Sequence, residues 1–178
     1  MIGNYLRIKV FVQEKETIKT DQLTELSRAP LKGRLLALDW GMRYIGVAVS
    51  DELQITSRPV AVIERTGWKK LVKLIIGFLE EFDAVGLVIG LPYNSDGSES
   101  EMSQETRRIA QNFSLTLQIP VFLHDERLTT YAARGYMREL GFSEKKMRER
   151  VDAEAAAIIL SDFFELRNQK LKKAGDSK

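Results

Sequence analysis

Hydrophobic positions along this chain fall into short continuous runs separated by turn-formers or by helix-spaced stretches. Leu35–Leu38 is an apolar run, Gly41–Tyr44 is turn-like, and Ile45–Val49 is a second run bounded by Gly46 and Asp51. Arg34–Asp51 therefore predicts two strands joined by a tight turn. Ile55–Arg65 contains Pro59 and predicts a third strand near an edge, since proline cannot donate to a central ladder. Trp68–Phe82 predicts a helix, with Leu71, Leu74, Ile75, Phe78 and Leu79 recurring every three or four residues. Ala84–Leu91, AVGLVIGL, is apolar throughout, as in a strand buried on both faces. Pro92–Glu101 is a polar, turn-rich loop. Met102–Gln118 predicts a second helix ended by Pro120, and Val121–Leu123 a buried strand running out into His124, Asp125 and Glu126.

Beyond that strand, Thr129 or Thr130 is placed to cap a helix reaching Leu140, with Gly141 as its stop. Ser143–Arg150 reads as a charged connector, Asp152 opens the last helix, and Lys170–Lys178 reads as a frayed tail. At the other end, Leu6, Ile8, Val10 and Val12 alternate with Arg7, Lys9, Phe11 and Gln13 in a strand pattern, and a short helix is expected around Asp21–Arg28. The order is a three-strand meander followed by strand–helix alternation. It predicts an α/β fold built on a mixed β-sheet with helices on its faces. One domain is expected over residues 34–170, with residues 1–33 as an amino-terminal extension and residues 171–178 as a flexible tail.

Composition narrows the class. The 178 residues are 44% hydrophobic and 29% charged, the balance of a soluble globular domain. The absence of cysteine excludes disulfides and thiolate chemistry and suits a cytoplasmic location. No apolar run approaches the ~20 residues needed to span a bilayer. Residues 1–33 lack an apolar signal core, and Glu14, Glu16, Asp21 and Glu25 argue against a transit peptide. A formal net charge of +2 permits a nucleic-acid partner without requiring one.

Three acids recur at comparable places. Asp39 ends the first strand, where a carboxylate would leave the core, and Gly41 beside it allows a bulky polar group to approach the backbone. Glu126 lies just past the strand at Val121–Leu123. Asp152 precedes Ala155, Ala156, Ile159 and Phe163 at helical spacing, which turns it toward the sheet. An inward-facing acid needs a cation or a basic partner. Each acid has an ordinary alternative: Asp152 as a helix N-cap, Glu126 in an ion pair with Arg127 or a neighbouring helix, and Asp39 as a turn residue. Asp125 competes with Glu126 for any role at its strand end. Oxygen ligands suit Mg²⁺ or Mn²⁺, whereas zinc would call for His or Cys, and the chain offers only His124. Two such ions would activate water and stabilise the leaving oxygen in phosphodiester cleavage.

LDWGMRYIGVAVSD, VIGLPYNSDGSES, DERLTT and VDAEAAAIIL, in this order and at these separations, resemble the YqgF/RuvX-type family over about Arg34–Arg167. Its members are described as pre-16S rRNA nucleases and as Holliday-junction-resolvase-like proteins with an RNase H-like fold. The resemblance implies an RNase H-like sheet and a catalytic, metal-holding triad at Asp39, Glu126 and Asp152. It also implies metal-dependent hydrolysis of structured RNA, linked to maturing the 5′ end of small-subunit rRNA. Precursor rRNA or ribosomal particles are the partners it implies, with no membrane. The chain departs from the family in two places. Tyr44 stands where a second basic residue is usual after Arg43, and Glu144, Met147 and Glu149 dilute the basic residues Lys145, Lys146, Arg148 and Arg150. Both changes reduce the number of phosphates the chain could neutralise.

Candidate nucleic-acid contacts are Arg43, Asn94, Arg107, Arg127, Lys145 and Lys146. Asn94, Asp96 and Gly97 lie in the loop after a buried strand, where α/β sheets commonly place ligand contacts. Arg107 and Arg108 follow on a helix and would meet phosphate or form a solvated face. Arg127 would orient Glu126, bind the scissile phosphate, or serve as a structural ion pair. Thr129 and Thr130 read as helix caps and His124 as structural. Trp40 and Tyr44 would either stack on a base or pack against the sheet. Besides an rRNA nuclease, the sequence admits a resolvase of four-way DNA junctions, which would need a dimer. An ATP-binding domain of the actin/hexokinase kind is a third reading, though the chain lacks a second lobe and a second glycine-rich phosphate loop. A nucleic-acid-binding module without catalysis is the fourth.

Overall fold

Alternation along the first apolar run decides which way each side chain faces. In β1 (Arg34–Trp40), Leu36, Leu38 and Trp40 enter one core, while Leu35 and Ala37 enter another on the opposite face. The same parity continues in β2 (Tyr44–Ser50), where Ile45, Val47 and Val49 join the first core and Ala48 the second. The remaining elements are β3 (Ser57–Glu64), α1 (Trp68–Glu81), β4 (Ala84–Leu91), α2 (Glu101–Thr116), β5 (Val121–Asp125) and α3 (Glu144–Gly175). A short 3-10 turn at Leu26–Arg28 precedes β1. The structure, a computed structural model, describes residues 25–94, 96–126 and 144–175, the stretch 144–151 through its backbone.

The five strands form one sheet in the order β3-β2-β1-β4-β5. The β1–β2 and β2–β3 pairs are antiparallel, and the β1–β4 and β4–β5 pairs are parallel. This is the mixed sheet expected from the order of elements, in the RNase H-like form that the family resemblance implies. β3 lies at an edge, and its Pro59 sits opposite Ala48 at a register shift, where the ladder tolerates a missing donor.

One face is covered by α1 through Leu71, Ile75 and Leu79 and by α2 through Ala110 and Phe113. Ser100 caps α2, its Oγ accepting the Ser103 N–H at 3.1 Å. Among the described residues, the other face is covered chiefly by α3, through Ala156, Ile159, Leu160 and Phe163, with Ala29 and Leu26 packing beside it. The strand residues beneath α3 are small at several points, among them Ala37, Gly46, Ala48 and Gly90. They let a single long helix settle close to the sheet.

The final helix corrects two expectations. α3 starts at Glu144, so the charged stretch before Asp152 is helical and Asp152 is an interior residue, not an N-cap. It also continues through Lys170 to Gly175. The cause is propensity: from Glu144 to Ala174 there is neither glycine nor proline, and Glu, Lys, Arg and Met favour a helix even where no apolar stripe recurs. The helix expected from Thr129 or Thr130 to Leu140, and the strand expected at Leu6–Val12, lie outside the described residues. Among the described residues no helix is long and apolar enough to cross a membrane.

Candidate active site

Strand parity places Asp39 on the α3 side of the sheet, two residues beyond Ala37. Its ladder partner on β2 is Gly46. A Cβ at Gly46 would collide with the carbonyl oxygen of Asp152 and come within 2.9 Å of the Ala153 nitrogen. Helix α3 therefore lies backbone against backbone on β2 at this point, and Asp152 is one strand away from Asp39. The glycine brings these two segments together, because any side chain there would hold the helix off.

Glu126 arrives from the other side. Its N–H donates to the Leu91 carbonyl at 3.2 Å, prolonging the β4–β5 ladder by one bond. Its carboxylate then turns back over β4, where Oε1 occupies the space that a Cβ at Gly90 would fill, with Ile159 Cδ1 2.6 Å from the same point. β4 adjoins β1, so this reach brings Glu126 toward Asp39. The residue is only 8% exposed. Burial first, then the charges of Asp39 and Asp125, push the Glu126 carboxyl well above the usual carboxylate range.

Two acids held near one another in a desolvated place repel, and a divalent cation would relieve that repulsion. All the donors are oxygens, which fits Mg²⁺ or Mn²⁺. Among the described residues, no three acidic or histidine side chains converge as tightly as a preformed metal cluster. His124 is buried and meets Phe163 edge-on, with ring centroids 6.0 Å apart. Burial lowers its pKa, opposed by the charge of Asp125. These surroundings fit a structural imidazole.

The other candidates divide. Asn94 donates from Nδ2 to Ser98 Oγ at 2.9 Å, bracing its own loop. Arg107 donates from Nε to Glu99 at 2.6 Å and from Nη2 to the Tyr93 hydroxyl at 2.7 Å, across a β-bridge that joins Tyr93 to Glu99. Both therefore shape the loop that follows β4. Arg43 lies in the β1–β2 turn with its guanidinium 5.3 Å from the centre of the Tyr44 ring. Lys145 and Lys146 belong to the first turn of α3, about 10 Å along the helix axis from Asp152. Arg127 lies outside the described residues. Trp40 points to the α1/α2 side and is 3% exposed, with Arg65 over its ring at 5.1 Å. It packs, and offers no face to a base.

Sequence reasoning passed over three residues that build this site. Gly46 and Gly90 carry no chemistry, yet each opens the space that an acidic segment uses; glycine inside an apolar strand is the signal that marks such close approach. Arg65 bonds Glu105, reaches the Met42 carbonyl at 3.5 Å and covers Trp40, so it braces the turn that follows Asp39. No sequence pattern announces it.

A mixed five-stranded sheet with one acid on its central strand and another folded back from the end of a parallel neighbour defines an RNase H-like domain with an acidic site under its last helix. The chain belongs to the RuvX family, described as Holliday junction resolvase, whose profile matches residues 33–166. It is 39% identical over 135 residues to a protein of Anaeromyxobacter sp. (strain Fw109-5) named "Putative pre-16S rRNA nuclease", covering 76% of this chain and 98% of that one. A protein of the same name from Cereibacter sphaeroides (strain ATCC 17025 / ATH 2.4.3) is 40% identical over 140 residues, covering 79% and 88%. Among solved structures, Thermus thermophilus RuvC in complex with a Holliday junction substrate matches with a TM-score of 0.47 at 16% identity, over 74% of this chain and 94% of that one.

Proposed function

We propose that this protein is a metal-dependent endonuclease that processes the 5′ end of precursor small-subunit rRNA in the cytoplasm. The observation that carries the reading is the Asp39–Glu126 pair, two acids brought together on a sheet face that α3 shields from water. Family membership and the names of the curated relatives support it. Asp39, Glu126 and Asp152 are the residues that would hold Mg²⁺ or Mn²⁺. When bound, the metal would supply charge neutralisation at the scissile phosphate and activation of a water.

The chain's own residues prepare the place. Gly90 leaves room for the Glu126 carboxylate, and Ile159 closes over it so that few waters compete. Gly46 sets Asp152 against the sheet, so the third acid comes on a rigid helix and not on a loop. Without a cation the Glu126 carboxyl keeps a proton to higher pH than an exposed glutamate would. Metal binding would release that proton, which couples affinity to pH.

A second reading is resolution of four-way DNA junctions, favoured by the description of the family profile. It needs a dimer, because two strands must be cut about a two-fold axis. Purified protein offered a labelled small-subunit rRNA precursor and a four-way DNA junction, each with Mg²⁺, with Mn²⁺ and with EDTA, separates the readings. Cleavage of the RNA that needs metal and disappears in Asp39→Asn is the expected result. Junction cleavage alone would move the assignment to the resolvase, and undiminished cleavage by a folded Asp39→Asn protein would remove the acids from the chemistry.

A further inference from the structure

Tyr44 opens β2 at the end of the sheet where Asp39 sits. Even-numbered residues of β2 face α3, as Gly46 and Ala48 show, so Tyr44 stands on the same side as Asp39. Gly46 is opposite Asp39 in the ladder, which puts Tyr44 on the diagonal, about 7–8 Å away. Its strand neighbours Ile45 and Val47 are sealed in the core, yet Tyr44 itself is 37% exposed. The Arg43 guanidinium lies 5.3 Å from its ring centre. Glu64, an exposed acid, is its ladder partner on β3, so the positive charge beside the ring comes from Arg43. Trp40, the other aromatic at this end, is buried on the opposite face beneath Arg65.

A partly exposed aromatic ring backed by a guanidinium has the chemistry to take a nucleobase, with the cation near the adjoining phosphate. We propose that Tyr44, with Arg43 behind it, is a stacking platform for an unpaired nucleobase next to the phosphate that would lie over Asp39 and Glu126. The position assigned to that base rests on the nuclease reading given above. Bases inside a duplex spend both faces on one another, so only a splayed or single-stranded nucleotide can use the ring. The substrate class is therefore nucleic acid with an unpaired nucleotide beside the bond that is cut.

The test uses the full chain in EDTA, where cleavage plays no part, and short single-stranded RNAs carrying 2-aminopurine at successive positions. DNA of the same sequence and a fully paired duplex are run alongside. The wild-type protein should quench the fluorophore at one position. Tyr44→Ala should lose that quench and bind about 5- to 150-fold more weakly, and Tyr44→Phe should keep both properties. RNA and DNA should lose alike, because stacking reads the base and not the sugar, and duplex binding should not change. Thermal melts confirm that the variants are folded. Tyr44→Ala that binds and quenches like the wild type overturns the platform, as does a wild type that binds no single strand. Cleavage assays separate the two readings: metal-dependent RNA cleavage by Tyr44→Ala at the wild-type rate leaves the nuclease standing and removes the platform. A Tyr44-dependent quench in a protein that never cuts does the reverse.

Discussion

The Glu126 carboxylate fills the space over Gly90 that the Cβ of any other residue would take. An acid from beyond β5 thereby crosses β4 and comes under the influence of Asp39 on β1. The expected consequence is separable effects on activity and stability. Gly90→Ala meets the ends of two side chains, the Glu126 carboxylate and Ile159 Cδ1, which can shift where backbone cannot, so the fold should survive at a cost of about 1 kcal/mol. A catalytic group displaced by roughly 1 Å loses about 100-fold in rate. Cleavage assays and melts on the same preparation check this. Gly90→Ala with wild-type cleavage would show that the placement of Glu126 over Gly90 does not matter.

Gly46→Ala should behave in the opposite way. Its Cβ meets the Asp152 carbonyl, which is helix backbone and cannot rotate aside. α3 must lift from β2, loosening the packing of Ala156, Ile159 and Phe163. Overpacking of this kind costs about 1–3 kcal/mol. Chemical denaturation should show a larger drop in midpoint for Gly46→Ala than for Gly90→Ala.

The elevated pKa of Glu126 makes a stability prediction that needs no substrate. In the unfolded chain the residue ionises near the ordinary glutamate value of 4.5; in the fold it does so higher, chiefly through burial. Below that ordinary value it is protonated in both states and costs nothing. As pH rises through the window up to the elevated value, the folded state is increasingly penalised, and above the window the penalty is complete. Glu126→Gln should therefore raise the melting temperature at about pH 8 and change it little at about pH 4. Asp39→Asn should act in the same direction by less, since the Asp39 charge ranks behind burial as a cause. A gain of equal size at both pH values would contradict this account.

The sheet was legible because its strands are short apolar runs with fixed parity. AVGLVIGL reads as β4 residue for residue, and Asp39 falls where the run Leu35–Leu38 implies. Which residues meet across strands was not legible. The reach of Glu126 over Gly90 depends on parallel pairing set by the crossover helix α2, a relation between segments that no local pattern encodes. The first turns of α3 are hidden for another reason: Glu144–Arg150 carries no apolar stripe, and its charge density resembles a connector although every residue favours a helix. Asn94, expected from its place in the loop after β4, and Arg107, expected to meet phosphate or form a solvated face, also make side-chain bonds to residues of that loop, a relation no local pattern encodes.

At the opposite end of the sheet, removing one charge should lower stability and leave activity intact, for reasons unrelated to the acids. Arg167 is buried near the carboxyl end of α3, donates to the Pro30 carbonyl at 2.9 Å and to the Gln54 side chain, and lies 5.2 Å over the Phe164 ring. Gln54 in turn donates to the Gly33 carbonyl at 2.8 Å. One guanidinium thus joins three separate stretches: α3, the segment before β1 and the β2–β3 turn. Arg167→Ala would leave the buried Gln54 amide oxygen and the half-buried Pro30 carbonyl without this donor, at a cost of about 2–4 kcal/mol. The site at Asp39 lies about 20 Å away, the length of β1. Cleavage per folded molecule should therefore stay at the wild-type level below the melting transition while the melting temperature falls by several degrees. A variant that melts normally yet cuts poorly would place Arg167 in the reaction and contradict a purely structural role.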